Sequence, residues 1–242
     1  MKIIGVLGGM SSVASSEYYR RLNDGVNAHR GGHGAAELVL YSVDFGVVEG
    51  FIRLRQWDLA AEYLVERAQR LERAGAEFVI LATNTMHQVA DAIQAAIGIP
   101  LVHIVDVTAD AAAADGARAL GLLGTSAVME GDSYSRRFAE RGFEILVPPA
   151  ADRAVVHRVI FEELTRGIIS DDSRQDYRRI IGDLAARGAQ GIVLGCTEIS
   201  LLVSGEDVAP AVLYDTTALH VDRAVRISLG MHPLVPESLT PA

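Results

Sequence analysis

The chain has 242 residues, with 22 Lys and Arg against 31 Asp and Glu, and the resulting net charge of −9 without a basic run excludes a phosphate-binding surface for nucleic acid or anionic membrane. Half the residues are hydrophobic and 22% are charged, which is enough apolar material for a sizeable core and argues against disorder. The single cysteine, Cys196, excludes an internal disulfide framework and a thiolate zinc cluster, and it fits a reducing, cytoplasmic setting.

The opening run MKIIGVLGG is too short for a secretory signal, and 3–7 reads as a buried strand closed by Gly8 and Gly9. Residues 15 to about 29 read as a helix and 37–43 as the next strand. A helix over 58–74 follows from apolar residues at helical spacing: Leu59, Ala60, Tyr63, Leu64, Ala68 and Leu71. Then come a strand at 78–81, a helix at 86–96 and a strand at 101–104 behind Pro100. The second half repeats the style, with strands at 119–123, 144–146, 192–194 and 212–214 and helices near 130–141, 152–166, 172–187 and 215–229. No run reaches the ~18 apolar residues of a membrane span. The tail HPLVPESLTPA carries three of the seven prolines and is expected to be loose. Continuous apolar strands that alternate with amphipathic helices mean parallel sheets covered on both faces.

An internal repeat organises these elements. IGVLGGMSS at 4–12 matches LGLLGTSAV at 120–128, GAEFVILATNT at 75–85 matches GAQGIVLGCTE at 188–198, and PLVHIVDVTA at 100–109 matches PAVLYDTTAL at 210–219. The order of the three segments is kept and the offsets differ by only a few residues. The expected fold is therefore α/β, with two pseudo-symmetric Rossmann-like lobes, each a four-stranded parallel sheet flanked by helices. One lobe comprises 1–104 plus 211–242 and the other 105–210, with the last helix packed on the first lobe. Ligands of open parallel sheets bind beyond the carboxyl ends of the strands. Each repeated motif sits at such an end, so the expected active site is a cleft between the lobes. Residues 8–11 with Thr83, Asn84 and Thr85 would line one wall, and residues 124–126 with Cys196, Thr197 and Glu198 the other. Backbone N–H groups at helix starts suit carboxylates there.

Cys196 ends an apolar strand beside an expected helix start, a place where a thiol's pKa is lowered towards neutrality. As a thiolate it is a nucleophile or a general base, while a lone cysteine is also often simply buried. Its repeat mate is Thr83, inside ATNTMH. Two proton-bearing groups across a cleft would reach both faces of one carbon.

The strand-GGM opening, the strand-x-T-N-T-M-H segment and the strand-G-C-T-E segment resemble the aspartate/glutamate racemase superfamily, to about residue 230. The similarity is greatest to the amino-acid racemase branch that includes enterobacterial L-aspartate/glutamate-specific enzymes. That resemblance implies an isomerase that racemises without a cofactor, one thiol removing the α-proton and a second group returning one on the opposite face. Family members typically read C-N-T in the first half, where this chain has Thr83, and G-C-T in the second, kept as Gly195, Cys196 and Thr197. The L-specific branch shares the threonine. A thiolate is an accessible base near neutral pH and an unactivated threonine hydroxyl is not, so the two faces become unequal and turnover from the L-side is expected to dominate. The resemblance also implies a homodimer and an acidic amino acid, L-aspartate or L-glutamate, as the small-molecule partner.

By motif position the resemblance carries Asn84, Thr85, Thr125 and Thr197 over as polar residues around the substrate, and Met10 and Ser11 as its entrance. Helix capping is the plainer role for such Ser and Thr residues, and both roles can coexist. A second carboxylate calls for a cation, either Arg53 in FIRLRQWD or Arg166 in ELTRG, each read as lying in a loop or at a helix end. Arg53 is preferred because the SVDF segment upstream also resembles the family. Glu198 would bind the substrate ammonium or orient Cys196, or simply favour a helix N-terminus. His87 is read as a supporting or structural histidine, and Asp106 and Asp215 as N-caps. The glycines at 8–9 lack G-x-G-x-x-G, so no nicotinamide cofactor is expected. No lysine pattern points to pyridoxal phosphate, and Gly31 and Gly32 break the helix that would align His29 and His33 on a metal. Two alternatives stand beside the racemase: a single-thiol enzyme resembling arylmalonate decarboxylase, and a non-catalytic amino-acid-binding module with a decayed first site.

Overall fold

The structure, a computed structural model, describes residues 1–209 and 211–234. The chain divides into two compact units, Met1–Ile104 with the chain from His220 onward, and Val105–Leu219.

The first unit runs β1 (Ile4–Gly8), α1 (Ser12–Arg30), β2 (Leu38–Ser42), α2 (Phe45–Arg53), α3 (Trp57–Arg73), β3 (Phe78–Leu81), a 3-10 turn (Thr85–Val89), α4 (Ala90–Ala96) and β4 (Leu101–Val102). Its strands lie parallel in the order β2-β1-β3-β4. Every residue of β1 and β3 is buried, as continuous apolar runs demand of central strands covered on both faces. Helix α1 starts earlier than its apolar pattern indicates, because the Ser11 hydroxyl accepts the Ala14 N–H at 3.2 Å and caps it. It then buries Ala14, Tyr18, Leu22 and Val26, one face at four-residue spacing. Helix α3 does the same with Ala60, Leu64, Ala68 and Leu71.

Helix α2 has no counterpart among the sequence expectations. Gly46 and Gly50 weaken its signal, but Asp44 caps it by accepting the Gly46 N–H at 2.9 Å. It ends in a left-handed residue that is not glycine: Arg55, at φ 53, where the Gln56 N–H turns back to the Phe51 carbonyl at 2.9 Å. A side chain in that conformation is strained, so Arg55→Gly is expected to stabilise the protein by about 0.5–1 kcal/mol, read as a higher urea midpoint.

The second unit begins with α5 (Ile104–Ala114), where the sequence pattern indicated the end of a strand and then no element. It continues with β5 (Ala119–Gly124), α6 (Ser126–Glu130), α7 (Asp132–Glu140), β6 (Glu144–Leu146), α8 (Ala150–Glu162), a 3-10 turn (Leu164–Arg166), α9 (Asp171–Ala186), β7 (Gly191–Gly195), a second 3-10 turn (Thr197–Leu201), α10 (Gly205–Val208) and β8 (Val212–Asp215). Its strands are parallel in the order β6-β5-β7-β8, the topology of the first sheet repeated. Two four-stranded parallel sheets flanked by helices are thus what the repeated segments encode.

The boundary expected at residue 210 is corrected. Strand β8 pairs with β7, which keeps 211–219 in the second unit. The chain returns along α11 (Thr216–Ser228), whose last part is tied to the first unit by the Ser228 hydroxyl on the Lys2 carbonyl at 2.7 Å. Asp215 caps this helix, accepting the Thr217 and Ala218 N–H groups at 3.0 Å each. Asp106 is not a cap: it lies inside α5 and takes two bonds from Arg137, at 2.8 and 2.7 Å. The loose-tail expectation concerns a segment whose last eight residues, 235–242, lie outside the described residues. Among the described residues, no helix is long and apolar enough to cross a membrane.

Candidate active site

In each sheet the order in which strands are added reverses between the two central strands, and it is beyond the carboxyl ends of strands at such a point that open parallel sheets bind ligands. In the first unit these are β1 and β3. Gly9, Met10 and Ser11 leave β1, while Thr83, Asn84 and Thr85 leave β3. Thr83, Asn84 and Met10 are buried, and Ser11 is half-buried. Ser11 therefore acts as the expected cap, and Met10 belongs to the apolar cluster that includes Leu7, Val43 and Leu81.

His87 fixes the backbone behind Thr83. Its Nε2 accepts the Ile104 N–H at 3.2 Å, so Nδ1 carries the ring proton and donates it to the Thr83 carbonyl at 2.7 Å. The His87 ring lies edge-on to His103 and His220, with centroids 4.6 and 5.8 Å away. His220 is equally committed: Nε2 donates to the Val102 carbonyl at 2.8 Å and Nδ1 accepts the Tyr18 hydroxyl at 3.0 Å. Burial pushes the His220 pKa down to about 4 from 6.5. The folded protein keeps this ring neutral where an unfolded chain would protonate it. Stability is therefore expected to fall as pH drops from 6.5 towards about 4, by about 2 kcal/mol between pH 6.5 and about pH 5. Urea unfolding over that window checks it, and His220→Asn should flatten the slope.

In the second unit the central strands are β5 and β7, and the facing ends Gly124 and Gly195 pair in register. A Cβ on Gly124 would come within 3.0 Å of the Gly195 carbonyl oxygen, so the two strands close here only without side chains. Thr125 follows Gly124 and caps α6, accepting the Val128 N–H at 3.4 Å. The next N–H, of Ser126, goes to Nδ1 of His157 at 3.2 Å. Burial lowers the His157 pKa, which favours the neutral ring this contact requires. No local sequence pattern points to this role of His157, which joins residues 31 apart.

Cys196 follows Gly195 in extended conformation (φ −153, ψ 135) and packs, half-buried, against the cluster of Tyr177, Ile199 and Leu194. The 3-10 turn after it folds Glu198 back. Oε2 of Glu198 accepts both the Cys196 thiol at 3.0 Å and the Thr197 hydroxyl at 2.8 Å. Glu198 is only 7% exposed.

This geometry corrects the expected thiol acidity. Burial first, and then the Glu198 carboxylate, push the Cys196 thiol well above its ordinary range. The assumed cause of a lowered value is missing, because a five-residue 3-10 turn follows Cys196 in place of an α-helix. Thr197 likewise does not cap that turn; its hydroxyl is spent on Glu198.

The two candidate cations differ in setting. Arg53 ends α2 and pairs with Glu49 on its own helix at 3.6 Å, with two-thirds of its side chain exposed. Arg166 closes the 3-10 turn after α8, and that turn packs against the Thr197–Leu201 turn. The turn that carries Arg166 is thus a neighbour of the turn that carries Glu198, whereas Arg53 belongs to the first unit. Thr83 lies in the first unit and Cys196 in the second.

A family model described as Asp/Glu/hydantoin racemase matches residues 7–224. A crystal structure of a provisionally assigned Asp/Glu racemase from Yersinia pestis is 46% identical, covers 95% of this chain and all of its own, and superposes with a TM-score of 0.90. An aspartate racemase homologue from Pyrococcus horikoshii is 31% identical, with the same coverage and a TM-score of 0.82. A glutamate racemase of Koribacter versatilis is 28% identical over 73% of this chain. The chain spans 61% and 63% of the lengths of two curated relatives that it matches.

Proposed function

The chain belongs to the Asp/Glu/hydantoin racemase family, and from that premise we propose that it is an isomerase that racemises an acidic amino acid, L-aspartate or L-glutamate, without a cofactor. The observation that carries this reading is the placement of Cys196 and Thr83 at equivalent strand ends, after β7 and β3, each at the reversal point of its sheet.

In the proposed reaction Cys196 is the principal base. It takes the α-proton of the L-substrate; the C–H bond breaks, an S–H bond forms, and the electron pair stays on carbon, delocalised into the adjoining carboxylate. A proton returns on the opposite face from the Thr83 side, where the hydroxyl is resupplied by water. The reading requires Thr83 and Cys196 to reach opposite faces of one α-carbon. Asn84, Thr85 and Thr125 serve as polar contacts for the amino-acid head, beside Met10 and Ser11, and Thr197 does so through its backbone, its hydroxyl being held by Glu198. Arg166 is preferred over Arg53 for the side-chain carboxylate, since its turn adjoins that of Cys196 and Glu198.

Enantiomer-resolved turnover of aspartate and glutamate tests the proposal. L-substrates should convert faster than D-substrates, because thiol and hydroxyl are unequal bases. Turnover of neutral amino acids only, or of none, would contradict it. One observation favours a second reading: a thiol held protonated is suited to donate a proton, as in an arylmalonate-decarboxylase-like enzyme. Carbon dioxide release from an arylmalonate would support that alternative.

A further inference from the structure

A thiol that donates to a carboxylate is not a base until its proton leaves, and the contact that holds the proton also shows where it can go. Oε2 of Glu198 stands 3.0 Å from the Cys196 sulfur, with the Thr197 hydroxyl on the same oxygen at 2.8 Å. Glu198 is buried, and among the described residues no cation pairs with it. The Cys196 thiol and the Thr197 hydroxyl both donate to the same oxygen.

Two routes to a thiolate differ in electrostatic cost. Loss of the thiol proton to solvent would leave two negative charges about 3 Å apart in a site of low polarity. Transfer along the existing hydrogen bond creates no second charge; it moves one charge from oxygen to sulfur.

We propose that Glu198 is the group that takes the Cys196 proton, so that sulfur and carboxylate work as a single two-site proton carrier. The proposal rests on the reading of Cys196 as the base of an acidic amino-acid racemase, and it moves Glu198 from substrate contact to proton handling. In the priming step the S–H bond breaks, an O–H bond forms at Oε2, and the electron pair remains on sulfur. The sulfur then takes the substrate α-proton and is a thiol again. Glu198 gives its proton to water, and water restores the proton supplied on the Thr83 side, so no proton is gained or lost over the cycle. Thr197 tethers Oε2 through its own hydrogen bond at 2.8 Å.

Because Cys196 is the only cysteine, the ultraviolet absorbance of a thiolate reads its ionisation alone, taken as a difference from Cys196→Ser. Glu198→Gln keeps the shape and removes the proton acceptor. It is expected to lower the midpoint of thiol ionisation by about one pH unit or more, because a repelling charge is gone. In the same variant, α-proton exchange on L-aspartate or L-glutamate should slow about a hundredfold. The two shifts run in opposite directions, which a merely structural or merely repulsive neighbour does not produce. An easier thiol ionisation with unchanged or faster exchange overturns the proposal, as does an unmoved thiol midpoint.

A measurement on the unaltered protein keeps the test decisive if Glu198→Gln does not fold. Exchange should persist at pH values about two units below the thiol midpoint, since the proton leaves internally. Coincidence of the two midpoints overturns the proposal. Absence of exchange with either amino acid overturns this inference together with the racemase reading; exchange that Glu198→Gln leaves intact overturns this inference alone.

Discussion

Cys196→Ala is expected to slow loss of the α-proton from L-aspartate and L-glutamate, read as deuterated D-enantiomer formed in deuterated water, by about a thousandfold or more, at substrate saturation. The substitution removes the sulfur that the proposed reaction uses on the L-face, and no other described residue at the end of β7 offers a comparable base there. Glu198 hangs on the same turn, but its carboxylate is engaged by Thr197 and sits behind the sulfur in the proposed order of transfer. The fold should survive, because Cys196 is only half-buried and alanine fits the extended backbone at that position. Far-ultraviolet circular dichroism and the urea midpoint, measured alongside, separate loss of a base from loss of structure. An exchange rate within about threefold of the unaltered protein would remove Cys196 from the reaction.

Gly9→Ala should be the most damaging small substitution near the site, destabilising the protein by about 4 kcal/mol or more. Gly9 has φ +90, a conformation that side chains rarely adopt. A Cβ there would also overlap the backbone N and O of Val43, which cannot yield as a flexible side chain can. Moving Val43 would disturb its N–H bond to the Gly8 carbonyl at 3.0 Å, and with it the join between β1 and the end of β2. The Gly9 N–H itself donates to the Ser15 hydroxyl at 2.7 Å, which in turn donates to the Ser11 carbonyl at 2.7 Å. The second glycine of the GGM opening is thus a packing requirement of the strand-to-helix turn. Urea unfolding of the variant, or its failure to accumulate in soluble form, checks this. A loss below about 1 kcal/mol would mean that the turn relaxes without cost.

The sheet architecture was legible because its signal is local and repeated. IGVLGG and LGLLGT, or FVILATNT and GIVLGCTE, each combine a buried strand with its exit, and their order alone implies two sheets of equal topology. What stayed hidden depends on contacts that no local pattern records. Helix α2 is obscured by Gly46 and Gly50, which weaken its helical signal. The expected strand at 101–104 overruns β4, and the sequence pattern gives no element for the residues after it, where Val105 and Val107 are buried positions of α5. The second unit runs on to Leu219, beyond the boundary that the repeat indicates, since ladder pairing of β8 with β7 cannot be read from PAVLYD.

At the site, the G-C-T-E motif points to Cys196, Thr197 and Glu198 but not to the sense of their electrostatics. That sense turns on a 3-10 turn in place of an α-helix, which bends Glu198 onto the sulfur two residues earlier. The tie between Tyr18 and His220 spans 202 residues, and it too lies beyond the reach of spacing arguments.

The most direct test of the two-face reaction is the course of label during turnover of L-aspartate or L-glutamate in deuterated water. Early in the reaction, the D-enantiomer formed should carry deuterium at its α-carbon while the unreacted L-enantiomer keeps protium. Label that appears equally in both pools from the start, or in neither, would contradict a reaction in which Cys196 removes the proton and the Thr83 side returns one.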